Sequence, residues 1–475
     1  MERRTFFKNS ILFTGGIALT GMKGYASLKQ MKYISNRPLP DNRLFVSPVI
    51  DEIIDKVKKE IRNPELAWMF ENCFPNTLDS TVYYSEEKGR PDTFVITGDI
   101  NAMWLRDSTA QVWPYLPFVD GDEHLRKLFQ GLINRQTKCV NIDSYANAFN
   151  KDSEGSHWES DNTDMKPELH ERKWEIDSLC YTIRLAYHYW KATGDVSCFD
   201  TQWQEAAKKI VKTFKEQQRK EGRGSYTFQR KTSNPYDTLP GNGYGNPMNP
   251  IGLIVSSFRP SDDATVLPFL IPSNYFAVVS LKQLSEILAQ LQIDTVLAKE
   301  ALELAQEVEI ALGEFAISKH LDYGRTIAFE VDGFGNKLFM DDANIPSLLS
   351  LPYLGALKPN DPVYLSTREF ILSIKNPWFF KGKYAEGIGG PHVGVDQIWP
   401  MSIIMRAITS EKDEEIIACL KMLMKSHAGT GFMHETFHKD NPENYTRSWF
   451  AWANTLFGEL VLKVYKERPS ILASI

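Results

Sequence analysis

Cysteine is scarce in this 475-residue chain, and its five copies, Cys73, Cys139, Cys180, Cys198 and Cys419, are never spaced C-x-x-C. That pattern excludes a zinc ribbon and a disulfide-built scaffold. Basic clusters are missing as well. The formal net charge is −6, and no run of Lys and Arg occurs beyond the extreme N-terminus. A nucleic-acid surface, which needs clustered cations, is therefore not expected. No stretch after the first segment approaches the roughly 18 uninterrupted apolar residues of a membrane span. No repeat of about 34 or 40 residues is visible, which argues against an α-solenoid. Nothing in the sequence sets an oligomeric state.

What remains is a globular composition, 43% hydrophobic and 24% charged, in a chain long enough for a large core. The aromatics (11 Trp, 19 Tyr and 27 Phe) lie in large part within Gly-, Pro- and Asn-rich segments. Aromatic side chains in loops suit stacking on a sugar face, although packing is the plainer use of any single Trp. The N-terminus pairs Arg3-Arg4 and Lys8 with a short apolar run, Ile11 to Met22, and Gly24-Tyr25-Ala26 fits a small-x-small cleavage site. Residues 1–26 thus read as an export signal with a twin-arginine flavour, residues 27–44 as a polar leader, and 45–475 as one catalytic domain. The mature protein is expected outside the cytoplasm without a membrane anchor.

Along the chain, a helix is expected from Ser47 (N-cap) and Pro48, and a hairpin over 80–97 around Gly89-Arg90. Trp104, Arg106 and Asp107 precede a helix capped by Asp107 or Ser108. The long polar loop 141–172 reads as an active-site wall. A strong amphipathic helix spans Lys173–Trp190, closed by Gly194. Further helices are expected at 203–219, 272–292, 296–318, 395–409 and 412–426, with a last one to Glu467. A short β-like piece is expected at 225–230, and a hairpin over 325–339 turns at Asp332-Gly333. The rhythm of helix, elaborate loop and helix, repeated about six times, implies an all-α (α/α)6 barrel with short β-hairpins in its loops.

Two segments carry chemistry. His434-Glu435-Thr436-Phe437-His438 spells H-E-x-x-H, a zinc metallohydrolase pattern when helical. Gly429 and Gly431 before it and Asn441-Pro442 after it disfavour a helix. The other is the loop Ser257–Phe276, where Asp262 and Asp263 sit among prolines and aromatics. A carboxyl pair of this kind, completed by Glu435, fits glycosidic hydrolysis, which needs one acid and one carboxylate base or nucleophile. A non-catalytic glycan-binding protein is a third reading.

The stretches M-W-L-R-D-S (103–108), F-R-P-S-D-D (258–263), L-I-P-S-N-Y-F (270–276), M-D-D-A-N-I-P (340–346), G-P-H-V-G-V-D-Q-I-W-P (390–400), M-H-E-T-F (433–437) and T-R-S-W-F-A-W-A-N (446–454) resemble glycoside hydrolase family 125, from about residue 45 to the C-terminus. The resemblance implies an (α/α)6 barrel and a metal- and cofactor-independent, inverting exo-α-1,6-mannosidase acting on mannose-containing oligosaccharides. It implies a general acid at Asp262 or Asp263, with Asp262 preferred, and a general base at Glu435. Candidate sugar contacts are Trp104, Arg106, Asp107, Arg259, Asp341, Asn344, Trp378, His392, Gln397, His434, Arg447 and Trp449.

Overall fold

The computed structural model describes residues 33–475. The export signal and the start of the leader lie outside the described residues. Residues 34–44 lie against the main body: the Trp68 indole donates to Ile34 O at 2.6 Å, and Arg37 pairs with both Asp51 and Asp79.

The body is an (α/α)6 barrel. Its principal helices are α1 (Pro48–Glu60), α2 (Pro64–Cys73), α3 (Leu105–Val112), α4 (Glu123–Ile142), α5 (Ile176–Thr193), α6 (Thr201–Gln217), α7 (Ile271–Gln290), α8 (Thr295–Ala311), α9 (Pro362–Ile371), α10 (Pro400–Ile408), α11 (Asp413–Ser426) and α12 (Ala451–Glu467). The inner ring packs α12 on α3, α3 on α5, α5 on α7, and α10 on α12. Between α7 and α10 the inner position is filled by irregular turns of 341–357. Tyr181 of α5 donates to Ile345 O, Tyr364 of α9 to Leu349 O, and Tyr353 to Glu459 of α12. The other helices form the outer ring.

Sequence explains which helix goes where. In α5 every residue from Ile176 to Ala186 is buried, as expected of a helix packed on all sides. In α6 burial is confined to Trp203, Ala206, Ala207, Ile210, Val211, Thr213, Phe214 and Gln217, one stripe of an amphipathic outer helix. Ser47 caps α1 by accepting from Ile50 N at 3.2 Å. Gly194 closes α5 at φ +68°, a conformation that costs a residue with a Cβ but not glycine.

The expected hairpin over 80–97 is Val82–Glu87 paired with Arg90–Val95. Elsewhere boundaries moved for identifiable reasons. The helix expected from Lys173 begins at Ile176, because Lys173 N and Trp174 N donate instead to Asn147 Oδ1 and Tyr226 Oη. The N-cap of α3 is Trp104, and both Asp107 and Ser108 lie inside the helix. The helix expected to reach 318 is α-helical to Ala311 and continues as a π-helical turn over Leu312–Ala316, after which Ile317–His320 pairs with Gly324–Ile327 as a hairpin. Residues 225–230 contribute only an isolated bridge, Gln229 to Asn162.

Small antiparallel sheets precede three inner helices. Met103–Trp104 leads into α3 and pairs with Ala148–Phe149, which pairs with Leu169–Glu171. Phe269–Leu270 leads into α7 and pairs with Glu330–Val331. Gln397–Ile398 leads into α10 and pairs with Phe437–His438. The N-terminal ends of the inner helices therefore share one stiffened face. No described helix is long and apolar enough to cross a membrane. All five cysteines are buried and unpaired.

Candidate active site

That face holds a small cavity of about 60 Å3, lined by residues at or just before inner-helix starts: Trp104, Arg106 and Asp107 (α3), Asp262 (the loop before α7), Asn344, His392 and Trp399 (before α10), and Glu435, Arg447, Phe450 and Trp452 (before and within α12). A far larger surface groove of about 1120 Å3 runs between α6 and α8. Its walls are lysine–glutamate pairs such as Lys215–Glu300 and Lys220–Glu307, with no convergent catalytic set.

The loop bearing Asp262 is held rigidly. Arg259 N donates to Asp263 O at 2.7 Å and Asp262 N to Arg259 O at 2.9 Å. This tight turn places Asp262 at φ +66°, a region that non-glycine residues enter sparingly and aspartate more readily than most. Glu330, fully buried, clamps both ends of the loop. Its Oε1 accepts from Arg259 Nε at 2.7 Å, and its Oε2 from Val266 N and Leu267 N at 3.0 and 2.9 Å. Lys173 Nζ donates to Asp262 O at 2.9 Å.

The acidic doublet is split by this turn. Asp262 faces the cavity, with Oδ1 receiving Asn147 Nδ2 at 3.3 Å and lying 3.6 Å from the Arg106 guanidinium. Asp263 points behind the wall, buried, with Oδ1 3.1 Å from His392 Nδ1. Burial opposes the Asp262 charge, but Lys173 and Arg106 prevail and hold its pKa below the ordinary carboxylate value. For His392, surrounding protein disfavours the charged ring, yet the Asp263 hydrogen bond and charge raise it to about 9.

Arg106 is the electrostatic hub. Its guanidinium reaches Glu175 at 2.6 Å, Asp177 at 3.2 Å, Asp107 at 3.4 Å and Asp262 at 3.6 Å. Burial raises Asp107 to about 6, with Arg106 opposing and Asp262 reinforcing the shift. Burial likewise lifts Glu175 well above the usual range, against the pull of Arg106.

Glu435 enters from the other segment. Met433 N donates to Asn454 Oδ1 at 2.7 Å and Thr436 N to Thr446 Oγ1 at 3.1 Å, which fixes the bend between them. Arg447 lies 3.4 Å from Glu435 Oε1 and is itself anchored by Thr97 O at 2.8 Å and by Asp99. The H-E-x-x-H segment is not helical. His434 stacks on Tyr445 at 3.8 Å, and His438 sits in a strand opposite Gln397. The two imidazoles are committed to separate packing, and the geometry of a zinc helix is not formed.

Of the sequence candidates, Trp104, Arg106, Asp107, Asp262, Asn344, His392, Glu435 and Arg447 line the cavity. The others are not among its lining residues. Arg259 is locked to Glu330, and Asp341 accepts from Leu348 N and Leu349 N. Trp378 packs edge-on to Phe380, and Gln397 receives Thr436 Oγ1. Trp449 lies over Gly98, where a Cβ would come within 3.1 Å of its ring. Trp399, Phe450 and Trp452 line the cavity and were not singled out, although they fall within the aromatic motifs. Glu175 and Asp177 were missed too. The available signal was the alternation of Lys173, Glu175 and Asp177 with Trp174 and Ile176 at the start of a helix that is otherwise apolar on that side.

A helical barrel whose loop face gathers carboxylates, a guanidinium and aromatic rings around a small recess defines a glycosidase of the (α/α)6 class. Accordingly, a bacterial glucoamylase complexed with acarbose shares the fold, with a TM-score of 0.53 at 13% identity over 88% of this chain and 59% of that one. Residues 63–462 match the family described as metal-independent alpha-mannosidase (GH125), and the chain belongs to that family. A Streptococcus pneumoniae member, solved as a non-productive complex with alpha-1,6-mannobiose, is 42% identical with a TM-score of 0.86, covering 90% of this chain and 100% of that one. The Meiotically up-regulated gene 157 protein of Schizosaccharomyces pombe is 40% identical over 95% of this chain and 92% of its own length.

Proposed function

We propose that this α-mannosidase removes terminal α-1,6-linked mannose from oligosaccharides with inversion of configuration, Asp262 acting as general acid and Glu435 as general base. The observation that carries the reading is that these two carboxylates, distant in sequence, face one small recess. Asp263 is turned away toward His392, which favours Asp262 for the acid. The acid protonates the bridging oxygen as the bond to the leaving sugar breaks. Glu435 removes a proton from the water that attacks the anomeric carbon from the opposite face. Arg447, held by Thr97 O and Asp99, lies 3.4 Å from Glu435 Oε1 and orients it. Trp104, Trp399, Phe450 and Trp452 supply apolar walls for the ring, and Asp107, Asn344 and His392 supply partners for hydroxyls.

The α-1,6 preference rests on the mannobiose bound by the pneumococcal relative, and the exo mode on the small size of the recess, about 60 Å3. The N-terminal 26 residues support an exported enzyme. A panel of mannobioses of different linkage, assayed with wild-type protein and Glu435→Gln, tests the proposal. Wild type should release mannose from the α-1,6 isomer, and the variant should bind it without turnover. Retained turnover by the variant removes Glu435 from the mechanism, and binding without release by wild type favours a glycan-binding protein.

A further inference from the structure

Behind Asp262 lies a second carboxyl that the two-residue mechanism leaves unused. Glu175 is fully buried. Its Oε2 receives Arg106 Nη1 at 2.6 Å and Ser178 Oγ at 3.0 Å, whereas its Oε1 is buried with no donor. Arg106 sets the Glu175 and Asp262 carboxyls side by side, its Nη1 2.6 Å from Glu175 Oε2 and its Nη2 3.6 Å from Asp262 Oδ1, within hydrogen-bond reach of each other. Two carboxylates meeting this way without a proton between them would be repelled and under-solvated, so a shared proton is the stable arrangement. The surrounding charges are Arg106 from α3, Lys173 and Asp177 flanking Glu175, Asp107 from α3, and His392 from the loop before α10. Lys173 is already engaged by Glu171 and Asp237.

We infer that Glu175 and Asp262 form a carboxyl pair holding a single proton, with Glu175 the buried reservoir from which Asp262 is loaded before it protonates the leaving sugar. This rests on the reading of Asp262 as general acid. The cations beside Asp262 favour its ionised form at rest, and burial keeps the proton on Glu175. Taken alone, Asp262 would be poorly prepared to donate; the pair resolves that difficulty. When the glycosidic oxygen approaches, the Glu175 O–H bond breaks and an Asp262 O–H bond forms, leaving the Glu175 carboxylate against Arg106. The Asp262 O–H bond then breaks as the leaving oxygen takes the proton and the electron pair of its bond to the anomeric carbon. Glu435 gains the proton from the attacking water. The turnover thus ends with one proton extra on Glu435 and one missing from Glu175, and exchange with solvent restores both. Glu175 is a positioning residue, since it acts through Asp262.

The test compares α-1,6-mannobiose, whose leaving group needs protonation, with dinitrophenyl α-mannoside, whose leaving group does not. Glu175→Gln keeps a hydrogen-bond donor but has no proton to pass. Its mannobiose turnover should fall by about 100-fold or more while its aryl mannoside turnover falls by less than about tenfold, the same split expected of Asp262→Asn. If Asp262→Asn shows the split and Glu175→Gln lowers both substrates alike, Glu175 is structural and the inference is overturned. If Asp262→Asn shows no split, the acid assignment fails and the inference fails with it. Should Glu175→Gln not fold, glutamate-edited infrared spectroscopy of wild type and Asp262→Asn at neutral pH decides the matter. An un-ionised glutamate carbonyl that shifts between the two supports the pair, and no shift overturns it. Glu459, hydrogen-bonded to Tyr353 away from the cavity, supplies the unshifted reference.

Discussion

Glu330 offers a demanding test of how the catalytic loop is held. It is fully buried and receives three hydrogen bonds, from Arg259 Nε, Val266 N and Leu267 N. Replacing it by Ala strands the Arg259 guanidinium, itself 1% exposed, and leaves two amides without their acceptor. Removing one partner of a buried ion pair typically costs about 3–5 kcal/mol. Orphaned buried donors add about 1–3 kcal/mol each where water cannot reach them. The sum is a large part of the roughly 5–15 kcal/mol that holds a typical domain. We expect Glu330→Ala to be destabilised by at least about 4 kcal/mol. Glu330→Gln, which can still accept from one side, should lose less. The effect should reach the chemistry because the same clamp holds Asp262 at positive φ. The assay is urea unfolding of wild type and both variants, with mannobiose turnover measured where each is folded. A Glu330→Ala protein within about 1 kcal/mol of wild type and fully active would refute the idea that this clamp sets the loop.

Two further outcomes follow from the site. The pKa of His392 rises from 6.5 to about 9 in the folded protein, so its pairing with Asp263 contributes stability that is fully present below about pH 6.5 and lost as pH rises through about 9. Melting temperature against pH should therefore fall over that window in wild type, and His392→Gln should flatten the fall; equal slopes in both proteins would contradict the pairing. Exhaustive treatment with a chelator should leave mannose release unchanged, whereas a loss restored by added metal would revive the H-E-x-x-H reading.

Much of the barrel was legible because its determinants are local. Ser47 and Gly194 mark helix ends by their own hydrogen bonding and backbone freedom. The even burial of α5 and the striped burial of α6 follow from where apolar residues recur. The fourth inner position was not legible as a departure, because 341–357 is stabilised by distant partners: Tyr181, Tyr364 and Glu459 come from three different helices. The boundary at Ile176 moved for the same reason, since Asn147 and Tyr226 compete for the amides that a helix would use. At the site, Asp262 and Glu435 announced themselves through residue type and motif. The orientation that separates Asp262 from Asp263 depends on a φ of +66° in the tight turn from Arg259 to Asp263, a turn braced from outside by Glu330 and Lys173, and no local pattern conveys it. Arg259, Asp341 and His434 carry the right chemistry for binding, but Glu330, the amides of Leu348 and Leu349, and the Tyr445 ring occupy them instead.

The central claim, that Asp262 and Glu435 act from two faces of one sugar with a water between them, is tested most directly by the configuration of the released mannose. Proton NMR of α-1,6-mannobiose during the first turnovers should show the β-anomer appearing first and the α-anomer growing in only by mutarotation. First appearance of the α-anomer would mean retention and a covalent intermediate, and would contradict the account.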